Sequence, residues 1–408
     1  MIAILIIYTL HLLPKPGAKQ RTEEPPYQSD LPDVMKDSRG NVFIDYHDVR
    51  FSYDNIAKFI SEYEDDFRTF TNYQNSSKYL IYNCDKRCGG LGDRLKGIVS
   101  VYILSQLSKR KFGIRMSDPK DLQMFLQPNV IDWRITADEI KGKEHLYIDF
   151  KELHQQFAIE MENDDIDPAN SIARVKPVDI IFVKANQNWF STYRKLSVSP
   201  DRFPIIYKLP TSDITRIIYH GLFKPSDELQ NLVDDFFAKK VKDKHLVCLH
   251  ARMGEKGFER YSFDDIKLAL YFLKHYDRLG GHVIMLATDN KQVKDYAKKT
   301  YTSLVDTEFS DDFSHVDHLG SGSVDDRTKE HGFMHAVLDH TILSRCSTLV
   351  LTNSGFGVTA SAIRHTSDNL FTFPSRSKSV IRTRREVVRE IFQWRCFSHL
   401  ETGYVCDG

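Results

Sequence analysis

Downstream of residue 244 the chain alternates between short apolar runs and longer stretches whose apolar residues recur every three or four positions. The runs predict strands over 245–250, over 282–287, around Leu304, and over Thr348–Thr352 and Leu370–Phe373. The stretches between them predict helices over 264–276, 291–299, 327–345 and 357–364. A loop rich in Asp, Ser and Gly spans 306–326. Strand and helix alternating at this spacing define a doubly wound α/β domain with a parallel sheet, whose ligand lies at the carboxyl ends of its strands.

The first half repeats the scheme less regularly. A strand over 79–82 runs into Cys88-Gly89-Gly90-Leu91-Gly92-Asp93-Arg94-Leu95-Lys96-Gly97, and a helix over 98–104 follows. Its apolar stripe is Leu95, Ile98, Val99, Tyr102 and Ile103. With a further strand at Lys111–Met116 this is a β-loop-α-β unit, so a parallel sheet with a right-handed crossover. Strand, glycine loop and helix also place backbone N–H groups where they face an anion. Further on, 145–150 and 178–183 read as strands, separated by an acidic loop over 162–167. That loop contains Asp165-Ile166-Asp167, a spacing used for divalent metals, but in a polar loop before Pro168 it reads as solvated charge. Pro225-Ser226 opens a helix carrying Leu229, Leu232, Val233, Phe236 and Phe237 on one face. The polar break at 239–244 separates two domains, 41–240 and 241–408. A helical segment over 55–70 and a polar stem over 14–40 precede the first sheet.

Charge and cysteines narrow the function. Lys plus Arg (56) equals Asp plus Glu (56), so no global field draws the chain to nucleic acid, and phosphate chemistry must be local. Of the cysteines, Cys84 with Cys88 and Cys396 with Cys406 are spaced for short disulfide loops in an oxidising compartment, whereas Cys248, inside an apolar run, reads as a buried thiol. The apolar segment 1–13 is shorter than the about 20 residues of a spanning helix and fits a signal or a membrane anchor. Together with the sequon Asn75-Ser76-Ser77, it points to the secretory pathway, in the Golgi or ER lumen.

Three strand ends in the second half carry candidate chemistry. In His250-Ala251-Arg252-Met253-Gly254-Glu255, an Arg directly after a buried strand can reach a phosphate bidentately, or pair with a neighbouring acid. Ala287-Thr288-Asp289-Asn290 offers an acid for a ribose, or a cap for the next helix. Thr352-Asn353-Ser354-Gly355-Phe356-Gly357 sets small polar groups and backbone N–H donors at a helix start. Together with the glycine loop they suggest a cleft that holds a nucleotide diphosphate.

These motifs, in this order and spacing, resemble the GDP-fucose-dependent fucosyltransferase superfamily, which includes α1,2-, α1,6- and protein O-fucosyltransferases. The glycine loop is most similar to the plant xyloglucan branch, and the resemblance covers 79–115 and 245–364. It implies a GT-B-like α/β fold, two Rossmann-like domains facing across a cleft, with the acceptor side in the first. It also implies inverting transfer of fucose from GDP-fucose to a hydroxyl of a glycan or protein, with no cofactor and no metal. Carried onto this chain, Arg252 binds the diphosphate and neutralises the departing GDP. Asp289 contacts the guanosine part and Asp339 the guanine. Ser354, Gly355 and Phe356 hold the diphosphate and the fucose side, and His250 belongs to the same donor site. Gly90, Gly92 and Arg94 line the cleft opposite. An inverting displacement needs the acceptor hydroxyl deprotonated, and Asp93 is the candidate base. His250 and Glu255 are alternatives for that role, and an Asp93–Arg94 ion pair is the structural alternative. Two other functions stay open: a non-catalytic GDP-sugar or carbohydrate-binding relative, and a dinucleotide-dependent oxidoreductase. The oxidoreductase would use Gly90-x-Gly92 as its phosphate turn and Asp118 on the ribose, although Leu95 stands where a third small residue is required.

Overall fold

The computed structural model describes residues 34–36, 42–44, 73, 76–149, 178–196, 199–203, 205–254, 261–307, 316–319, 324–364, 366, 368–373 and 381–383. The segment 1–13, the helix over 55–70, Asn75, the acidic loop over 162–167, Glu255, Cys396 and Cys406 lie outside them. Val34–Lys36 (β1) and Val42–Ile44 (β2) pair antiparallel, Met35 opposite Phe43, in a stretch read as stem and domain start. They belong to one unit, Met1–Arg50, and all other elements to a second, Phe51–Gly408.

In the second unit, Tyr79–Cys84 (β3) leads through Leu91–Leu107 (α1) to Lys111–Met116 (β4). Leu126–Pro128 (β5), His145–Asp149 (β6) and Ile180–Lys184 (β7) follow. Four of these strands form an all-parallel sheet in the order β4-β3-β7-β6, with Tyr79 opposite both Lys111 and Ile180. Every residue of β3 is buried, the mark of a strand covered on both faces. Ile135 and Ile140 pack over Tyr79, Ile81, Ile180 and Phe182. α1 departs from the expected stripe. Of its 17 residues all but Asp93 and Lys96 are buried, because the helix lies against the sheet and against a second helix from the far half of the chain. It also starts earlier than expected, inside the glycine loop. Gly97 is therefore a helix residue, and a Cβ there would run into the Ala185 carbonyl beyond β7.

The stretch beyond β7 that resisted sequence reading contains Thr211–Leu222 (α2), then Phe223–Pro225 (β8) and Asp227–Phe236 (α3). α2 buries Ile214, Ile217, Ile218 and Leu222, a spacing of three and four that its polar neighbours obscure. β8 pairs antiparallel with β5, and the buried Trp133 indole donates to the Leu222 carbonyl at 2.7 Å, tying the strip to the first sheet. Ser226 caps α3 by accepting from the Leu229 N–H.

The regular half follows the expected alternation. His245–Ala251 (β9), Phe263–Leu279 (α4), His282–Thr288 (β10), Lys291–Thr300 (α5) and Leu304–Val305 (β11) come first. Asp326–Leu343 (α6), Thr348–Thr352 (β12), Gly355–Ile363 (α7), Leu370–Phe373 (β13) and Ile381–Thr383 (β14) complete it. The sheet order is β11-β10-β9-β12-β13-β14, parallel except for the antiparallel β14. A short helical turn, Val316–Leu319, interrupts the expected 306–326 loop.

Among the described residues, two disulfides lock this frame. Cys84–Cys88 closes one of the anticipated short loops. Cys248 is not a buried thiol: it is bonded to Cys346 across 98 residues. The ladder explains the pairing. Leu349 lies opposite Cys248 on the neighbouring strand, and Cys346 stands just before β12 begins, 6.0 Å away Cα to Cα. Spacing in sequence carries no trace of this. A bridge closing so long a loop contributes about 2–4 kcal/mol. Cys346→Ala should lower the oxidised protein's unfolding free energy by that amount in urea titrations, and an unchanged midpoint would refute it.

Candidate active site

The glycine loop is shaped by a disulfide before it and a buried ion pair beneath it. After Cys88, Gly89 takes a positive φ of 87°, where a side chain would meet Asp93. Gly90 stands at the N-cap and α1 begins at Leu91. Arg94 turns inward. It has no exposed side-chain surface and donates to the Gly89 carbonyl at 2.7 Å, to the Asp118 backbone carbonyl, and to Asp118 Oδ2 at 3.1 Å. It is therefore sealed in the fold as a strut between loop and β4, which corrects its expected position on a cleft wall. Asp118, its partner, is buried with it and cannot serve a ribose, so the oxidoreductase reading loses its acid. Nor does Asp93 pair with Arg94. Its carboxylate meets Lys96 Nζ at 2.7 Å.

Gly92 is not a phosphate-turn residue either. A Cβ there would strike the Gly355 carbonyl group and come within 2.5 Å of the Phe356 amide nitrogen. The first turns of α1 and α7, more than 250 residues apart in sequence, touch backbone to backbone. From the other side, a Cβ on Gly355 would sit 2.8 Å from Asp93 Oδ1 and 3.2 Å from Lys96 Nζ. The structure thus brings Gly92, Asp93, Ser354, Gly355 and Phe356 to one seam. Ser354 caps α7, accepting from the Phe356 N–H at 3.3 Å. The Phe356 ring stacks on His250, with centroids 5.2 Å apart and planes 24° apart, and meets His340 edge-on at 5.0 Å. Gly357 permits this stack, since a Cβ would come within 2.8 Å of His250 Nδ1.

Arg252 and Asp289 stand at the carboxyl ends of neighbouring strands, where β9 and β10 finish. Arg252 Nη1 donates to Asp289 Oδ2 at 2.5 Å, and both side chains remain partly exposed. Asp289 also accepts the backbone N–H groups of Met253 at 2.8 Å and Gly254 at 3.1 Å, with Gly254 at φ 96°. The Arg252 N–H donates to Thr352 Oγ1 at 2.8 Å, at the end of β12. A carboxylate shared among three donors fixes the turn and aims the guanidinium. Asn290, beside it, caps α5 through the Val293 N–H.

Asp339 lies apart, towards β11. It accepts from Thr307 Oγ1 at 3.3 Å and faces His335 Nε2 at 3.4 Å. Burial opposes charging His335, but the Asp339 charge and hydrogen bond outweigh it and raise its pKa. His340, one residue further on, is held neutral: burial pushes its pKa down to about 3, and its Nε2 meets Thr359 Oγ1 at 3.0 Å on α7. His220 on α2 meets the Ile363 carbonyl at the other end of α7 at 3.1 Å, and burial takes its pKa to about 4. Sequence reading missed Lys96, His340 and His220. Lys96 was visible as an i,i+3 partner of Asp93 once the helix start was known; the histidines gave no signal outside the fold.

No family model matches the sequence, and neither does any curated protein. Among solved structures, a mutant of Arabidopsis thaliana FUT1 in complex with GDP superposes with a TM-score of 0.50 at 13% identity, over 79% of this chain and 78% of that one. The α-1,6-fucosyltransferase NodZ, co-crystallised with GDP, follows with a TM-score of 0.44 at 13% identity, over 69% of this chain and 91% of its own. The first likeness is one of fold. The α/β, GT-B-like fold expected from the sequence is the fold this chain adopts.

Two outcomes follow. Gly92→Ala should cost about 1–3 kcal/mol by forcing α1 off α7, measured as a lower urea midpoint; wild-type stability would show that the backbones are not in contact. His220 and His340 are neutral in the fold and take up protons near pH 6.5 when unfolded, so their effect runs with acid. Their contribution should be full above about pH 6.5 and decline from there down to about pH 4 for His220 and about pH 3 for His340. His340→Gln should flatten that decline in thermal melts, and an unchanged acid limb would count against it.

Proposed function

We propose that this chain is a fucosyltransferase that moves fucose from GDP-fucose to a hydroxyl of a glycan or protein, with inversion and without a metal. The observation that carries the reading is the convergence of Arg252 and the Ser354-Gly355-Phe356 turn at the carboxyl ends of the second sheet, with Asp93 of α1 against Gly355. The fold shared with Arabidopsis thaliana FUT1, whose mutant was solved in complex with GDP, supports it. In this reading the donor lies on the second sheet. Arg252 takes the diphosphate, the α7 turn takes the diphosphate and the fucose side, Asp289 sets the Arg252 turn and borders the guanosine part, and Asp339 takes the guanine. His250 fixes Phe356, and Gly90 with Gly92 lets α1 close on the donor. The acceptor comes from the side of residues 41–240. The two disulfides favour an oxidising lumen of the secretory pathway.

The chemistry is one displacement. The acceptor oxygen bonds to fucose C1 as the C1–O bond to the β-phosphate breaks, and that electron pair leaves with GDP. The acceptor proton goes to Asp93, a partly exposed carboxylate in the seam. Charge grows on the leaving diphosphate, so a fixed guanidinium there lowers the barrier without a metal.

GDP should raise the melting temperature and UDP should not, and GDP-fucose with an acceptor panel should release GDP. Arg252→Lys should lower kcat by about 10²–10³-fold, and Asp93→Asn by at least about 10²-fold. Protection by UDP alone would overturn the donor, and GDP binding without transfer or hydrolysis would leave a binding protein.

A further inference from the structure

We propose that Lys96, rather than Arg94, is the cation that the first half of the chain offers to the donor's diphosphate, held at the seam by its ion pair with Asp93. The inference rests on the fucosyltransferase reading and deepens it. Among the described residues, three ion pairs lie around the seam: Arg94 with Asp118, Arg252 with Asp289, and Lys96 with Asp93. A diphosphate can engage only cations it can reach. Arg94 has 0% of its side chain exposed, Arg252 18% and Lys96 27%. Reaching Arg94 would mean breaking its bonds to Gly89 and Asp118 and leaving a buried carboxylate without its charge partner, at a cost of several kcal/mol. Of these three, Lys96 and Arg252 remain, one on each side.

The burial pattern of α1 makes the same choice. All its residues are buried except Asp93 and Lys96. A helix enclosed by apolar neighbours opens to solvent at one place, and that place carries an ion pair. The pair lies against the turn that starts α7, since a Cβ on Gly355 would fall 3.2 Å from Lys96 Nζ and 2.8 Å from Asp93 Oδ1. Glycine at 355 keeps that approach open. An ammonium is a compact charge on a flexible stem with three donors, so Lys96 can keep one bond to Asp93 and direct the others at a phosphate oxygen. As the C1–O bond breaks and charge builds on the β-phosphate, Lys96 follows it. Arg252, fixed by Asp289 and Thr352, holds the opposite side.

Calorimetric binding of GDP and of guanosine to the full chain tests this. Lys96→Gln should weaken GDP about tenfold and leave guanosine within twofold, with the unliganded melting temperature unchanged. Lys96→Arg should restore GDP to within about threefold of wild type. With GDP-fucose, Lys96→Gln should lower kcat as well as raise KM, because the contact strengthens as charge develops. GDP affinity within twofold of wild type in Lys96→Gln overturns the inference, and so does an equal loss of GDP and guanosine, the signature of a structural role. A wild-type protein that binds no GDP overturns the donor reading itself.

Discussion

The contact on which the candidate site depends is made by two glycines. Where Gly92 meets Gly355, the first turn of α1 rests on the first turn of α7 with no side chain between them. A side chain at Gly92 would hold the helices apart, and one at Gly355 would displace the Asp93 and Lys96 side chains from the turn. The rest of the frame serves that contact. α1 is set by the sheet beneath it through Gly97 and Ala185, and by Arg94 tied to Asp118. α7 is set by His340 at Thr359, His220 at Ile363 and the His250–Phe356 stack. Glycine at both points removes steric bulk; the buried ion pair and the neutral histidines then supply the rigidity that glycine lacks.

The electrostatics are arranged by access. Among the described residues, each of the three cations near the seam is paired with a carboxylate. What separates the pairs is depth. The sealed one holds shape, and the two partly exposed ones can share their cation with an incoming anion. Removing an acid from such a pair differs from removing the base: Asp289 also holds the Met253 and Gly254 amides, so its loss would loosen the turn as well as free Arg252.

Much of the fold was legible because parallel strands buried on both faces are unbroken apolar runs. Thr348–Thr352 and Leu370–Phe373 were read to the residue, and so was the edge strand Lys111–Met116 despite its polar positions. Strand-end motifs were legible for a related reason, since polar residues directly after such runs stand out. What failed was non-local. Cys248 looked like any core residue until β12 came alongside it with Cys346. Arg94 resembled a ligand group because its partner, Asp118, lies beyond the next strand. The glycines of the loop suggested a phosphate turn, although two of them are there for helix packing. α2 went unseen because its apolar spacing lies among polar residues and caps through Pro210 without a side-chain hydrogen bond.

The strand order has a consequence for how the chain is made. β9 lies between β10, which follows within a few dozen residues, and β12, which emerges about a hundred residues later. The socket for Arg252 needs Thr352, and the seat for α1 needs Gly355. During synthesis from the N-terminus, the early half therefore waits with a glycine-lined helix face uncovered until nearly all of the later half exists. A chain stopped before residue 350 would carry the glycine loop, Arg252 and Asp289 in its sequence and have no place to assemble them.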